Sequence, residues 1–96
     1  MTPSNDHPYE LHQHGGGFTV FEAADAVGLP ITQLNRATLR GTGGQMMVLD
    51  FDSTQVLVDG NQLAELFGHL LGGRVKTIRK GKHGDCVVAK IQIAEM

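Results

Sequence analysis

Apolar and polar positions alternate along this chain with two different periods. Over residues 61 to 71, "NQLAELFGHLL", Leu63, Leu66, Phe67 and Leu70 fall at i, i+3, i+4 and i+7. That spacing predicts a helix with one buried stripe. Asp59 and Gln62 have the spacing of a capping box, and Gly72-Gly73 supplies a left-handed stop. Ahead of the helix the period is two. "ATLRG", "MMVLDF" and "QVLVDG" read as strands of a meander, separated by "TGGQ" and "DST". Met47, Leu49 and Phe51 share one face, as do Val56 and Val58 of the next strand. After the helix, "RVKTIRK" and "CVVAKIQIAE" flank the polar "GKHGD" as a terminal hairpin, in which Val87, Ala89, Ile91 and Ile93 alternate. The expected class is α+β: an antiparallel sheet of about five strands, meander plus C-terminal hairpin, with the helix at about 61–71 packed on one face.

The first 17 residues are polar and carry two prolines and a triple glycine. Their apolar surface is too small to offset the entropy of ordering them, so they read as a flexible tail. Within it, "YELHQ" has the makings of an edge strand that pairs with "FTVF". Residues 18–96 are then a single small domain, in keeping with a length of 96. A net charge of −2 argues against a polycation built for nucleic acid. Cys86 is the only cysteine, which excludes an internal disulfide and a zinc site needing several thiolates. With no signal-type or membrane-length apolar run, the expectation is a soluble cytoplasmic protein with no membrane partner.

The stretch with the strongest look of chemistry is "MMVLDFDST". An apolar strand followed by Asp-x-Asp-x-Thr resembles the first motif of haloacid-dehalogenase-type phosphatases. The resemblance implies that Asp50 attacks phosphorus, that Asp52 is a general acid/base, and that both help hold magnesium. Such a site also needs a parallel sheet with helical crossovers, a lysine and further carboxylates. The residues after Thr54 predict only one helix and a hairpin. Asp52-Ser53-Thr54 therefore reads as a turn, with Asp50 on the exposed face of its strand. No enzyme activity and no cofactor are expected.

"FTVFEAADAVGLPITQLNRATLRG" resembles the helix-turn-helix of excisionase-type and MerR-type DNA-binding domains through Thr19, Glu22, Ala23, Ala24, Gly28, Leu29, Leu34 and Arg36. The resemblance implies a first helix capped by Thr19, a turn at Gly28, and Thr32, Gln33, Arg36 and Arg40 facing the major groove. The plain alternative is a short helix or strand at 18 to 27 and a polar strand at 31 to 40. His7, His12 and His14 lie close together, and His12-x-His14 on a strand would put both rings on one side. Whether they bind a metal stays open. Cys86 reads as a small semi-buried hydrophobe.

The remaining feature is charge. No Lys or Arg precedes Arg36, whereas Arg74, Lys76, Arg79, Lys80 and Lys82 fall within nine residues that hold no acid. As a strand, this run places Arg74, Lys76, Ile78 and Lys80 on one face. It reads either as an edge strand protected by its charges or as a surface for a protein or other anionic partner. A homodimer formed through that sheet edge is a further expectation. The function expected is a small non-enzymatic binding or interaction module. The alternative is a helix-turn-helix DNA-binding protein that uses residues 19–40.

Overall fold

Strands dominate the fold, and they close on one another as two sheets that share the helix. The computed structural model describes residues 7–14 and 16–95. In chain order the elements are β1 (Tyr9–Leu11), β2 (Phe18–Glu22), β3 (Ala26–Pro30), β4 (Leu34–Arg40), β5 (Met46–Phe51), β6 (Thr54–Asn61), α1 (Ala64–Leu71), β7 (Val75–Arg79), β8 (Gly81–His83) and β9 (Cys86–Glu95). One sheet has the order β1-β7-β2-β3 and the other β4-β5-β6-β9-β8. Every pair is antiparallel except β2 and β7.

The α+β class is as the sequence predicts, and the five-stranded sheet is the expected meander joined to a C-terminal hairpin. The first strand of that hairpin is β8, however. "RVKTIRK" leaves as β7 for the interior of a second sheet that the hydrophobic pattern did not announce. No described helix is long and apolar enough to cross a membrane.

The core lies between the sheets. Met47, Leu49, Phe51, Val56 and Val58 line the inner face of the five-stranded sheet. They meet Phe21, Val75 and Ile78 from the other sheet and Leu63, Leu66 and Leu70 from the helix segment. Phe21 and Phe51 touch across the two sheets edge to face, with centroids 6.0 Å apart.

Five sequence expectations change. The helix begins at Ala64 rather than near residue 61, because Asn61 still belongs to β6 and Gln62 takes a positive φ of 53°. Asp59 lies inside β6, so the Asp59–Gln62 capping box does not form. The helix does stop in a Schellman arrangement: the Arg74 N–H donates to the His69 carbonyl and that of Gly73 to Leu70. Gly73 is the left-handed residue, at φ 71°.

The alternation of β9 is broken by an irregularity in its pairing with β6, where Asp59 faces Lys90 but Gly60 faces Val88. Val88 and Ile91 are buried in consequence, while Ala89 is exposed. Gly60 is required there, since a Cβ on it would run into the Val87 carbonyl.

In the N-terminal segment, Tyr9–Leu11 pairs with β7 and not with "FTVF", from which β7 separates it. Residues 1–6 of the expected tail lie outside the described residues.

Residues 19–40 contain no α-helix. They form β2, β3, a single 3-10 turn (Ile31–Gln33) and β4. Thr19 and Phe21 are buried while Glu22 is exposed, a period of two that so short a stretch shares with a helical pattern. The two-helix arrangement implied by the helix-turn-helix resemblance is therefore absent.

Candidate functional site

The basic run is divided between arginines with internal contacts and lysines without them among the described residues. Arg79 donates to Glu10 Oε2 at 2.8 Å and lies 3.6 Å from Glu22 Oε1, so it ties β1, β7 and β2 together across one sheet face. Its guanidinium, through the hydrogen bond first and its charge second, holds the Glu10 carboxyl below the usual range. Arg79 is pushed up in return by the same hydrogen bond. Arg74 belongs to the helix end, where Nε donates to His69 Nδ1 (3.2 Å) and Nη2 to the Gly68 carbonyl (3.4 Å). Lys76, Lys80 and Lys82 are exposed and have no ion-pair partner among the described residues. Ile78, expected beside Lys76 and Lys80 on one face, is buried. β7 is an interior strand, so its charges guard no edge and its backbone accepts no partner strand.

The other sequence-derived candidates are also separated. Arg36 and Arg40 stand exposed on β4, whereas Thr32 and Gln33 occupy the 3-10 turn before it. Asp50, next to last in β5, accepts from Gln55 Nε2 at 2.8 Å, and Asp52, in the following turn, accepts from Asn35 Nδ2 at 2.8 Å. The turn expected for "DST" is formed by Asp52 and Ser53, while Thr54 is buried and already begins β6. His12 Nε2 lies 2.9 Å from the Phe18 carbonyl, while the His7 ring stacks on His83 with centroids 4.0 Å apart. Among the described residues, no three His, Cys, Asp or Glu side chains gather so as to hold a metal ion.

A cleft of about 340 Å³ lies between Tyr9, Glu65, His83, Asp85 and Cys86. Burial first, and the Glu65 carboxylate second, push the Cys86 thiol and the Tyr9 hydroxyl up. For Cys86 this shift runs opposite to that of an activated thiolate.

A larger cleft, of about 680 Å³, opens between the two sheets. One wall is the β2–β3 turn with Ala23 and Asp25, continued by Val27 on β3. The other is the end of β9, with Ile91, Ile93 and Glu95. Leu29 packs on the core, but Val27, on the same side of β3, is left half-buried at the cleft. The backbone of β3 is unusual as well. Its residues pair only with β2, so its outer edge is open among the described residues. The other three edges are blunted in recognisable ways. β1 and β8 have three residues each, β1 carries a register shift at Glu10, and β8 carries Lys82. β4 has a register shift around Asn35 and displays Arg36 and Arg40. β3, "AVGLP", has no charge and no such irregularity, and Pro30 closes only its last position. An open backbone edge and a half-apolar cleft therefore meet at Val27. Periodicity did not reveal this site, because β3 lies in the segment that also fits a helical reading.

No family model matches the chain, and no curated protein or solved structure matches it.

Proposed function

We propose that this protein is a non-enzymatic interaction module that captures an extended segment of a protein partner along the outer edge of β3. The observation that carries this reading is the uncharged, unpaired edge of β3 standing beside the cleft that Val27 lines. Strand addition draws its affinity from main-chain hydrogen bonds and its selectivity from pockets that receive alternate side chains. β3 offers the first along its free edge and the second between Val27, Ile91 and Ile93. The partner surface is thus moved from the basic run, whose two arginines serve internal contacts, to the free edge of the four-stranded sheet that also holds β7.

The test is selection of ligands from a displayed random-peptide library, followed by calorimetric titration of the winners. The expected ligands lose binding when N-methylated at alternate residues, and also when Val27→Lys fills the cleft with a charged side chain. Lys82→Glu, on the edge strand β8, leaves binding unchanged. Ligands indifferent to both N-methylation and Val27→Lys would overturn the proposal.

A further inference from the structure

The chemistry of the cleft also specifies the segment it takes. Asp25, in the β2–β3 turn, and Glu95, on β9, stand exposed on its two walls, and no lysine or arginine lines it. Neither carboxylate has a cationic partner among the described residues. Between them the floor is apolar, with Ile91 buried and Val27 and Ile93 half-buried. We infer that the recognised segment is an extended peptide with an aliphatic side chain flanked by lysine or arginine. This rests on the strand-addition reading: the backbone pairs with β3, the aliphatic group fills the space between Val27 and Ile93, and the flanking cations meet Asp25 and Glu95. Charges at such a rim act mainly through selectivity and encounter rate, and their effect fades as salt rises.

Two short fluorescent peptides with the same alternating Thr-Val core test this, one ending in lysine at both ends and the other in glutamate. Their affinities are read by anisotropy, and the backbone amide shifts of Ala26–Leu29 report whether β3 is the site. The lysine peptide should bind about tenfold tighter at low salt, from two rim pairs. That advantage should shrink at high salt and reverse in D25K/E95K. D25N alone, on an exposed turn, should remove about half of it in free-energy terms. Equal binding of both peptides with shifts at β3 would overturn the charge assignment and leave strand addition standing. Failure of both peptides to shift the β3 amides would overturn the charge assignment and strand addition together.

Discussion

Gly60 shows how one residue decides a register. It sits opposite Val88 at the irregularity between β6 and β9, and the Val87 carbonyl occupies the place of its missing Cβ. A backbone carbonyl cannot swing aside as a flexible side chain would. Gly60→Ala should therefore cost about 3 kcal/mol, the upper range for overpacking a closed site. Equilibrium denaturation by urea checks this. A loss below about 0.5 kcal/mol, the level of an ordinary surface change, would mean that β9 does not press on β6 there. The sequence contains the glycine but not its reason. Val87, Ala89, Ile91 and Ile93 look like one uninterrupted face, and only the pairing with β6 reveals that the phase slips at Ala89.

Among the elements, the helix and the meander were legible because their contacts are local and their periods clean. The helix stripe is nearly as read: Leu63, Leu66 and Leu70 are buried, while Phe67 packs on the core only in part. Leu66→Ala should accordingly cost about 3 kcal/mol and Phe67→Ala clearly less, about 1–2 kcal/mol. The reverse order in unfolding free energy would place the helix with a different face inward.

The four-stranded sheet was not legible, because its key pairing joins β2 to β7 in parallel across most of the chain. Arg79 helps to hold that sheet by bridging Glu10 and Glu22. The Glu10 carboxyl titrates lower in the folded state than in the unfolded chain, where its ordinary value is 4.5. Its contribution is thus complete above that value and fades as pH falls through the lower, folded one. Glu10 is largely exposed, so the effect is modest, about 0.5 kcal/mol. Glu10→Gln should lower stability at pH 7 and flatten its decline between pH 5 and 3. A mutant whose stability runs parallel to the parent across that range would mean that the pair is only loosely made.

At the scale of the whole molecule, the described residues form two open sheets with four edges, and three of these carry shortness, a register shift or charge. Open sheets with unguarded edges invite association. The one edge left unguarded among the described residues is next to the cleft of about 680 Å³, beside the acidic side chains of Asp25 and Glu95 in a protein whose net charge is −2. The candidate site was hidden from the sequence by its plainness. "AVGLP" has no motif, and the visible signals lay in the basic run, where the fold turns two arginines to internal contacts.

The most direct measurement is amide hydrogen exchange at Ala26–Leu29 with and without a selected peptide ligand. In the free protein, the amides that point outward from β3 should exchange rapidly while those paired to β2 are protected. On addition of ligand at saturation, the outward amides should slow by at least about tenfold, with β4 and β8 unchanged. Unaltered exchange along β3 in the presence of bound ligand would contradict strand addition at this edge.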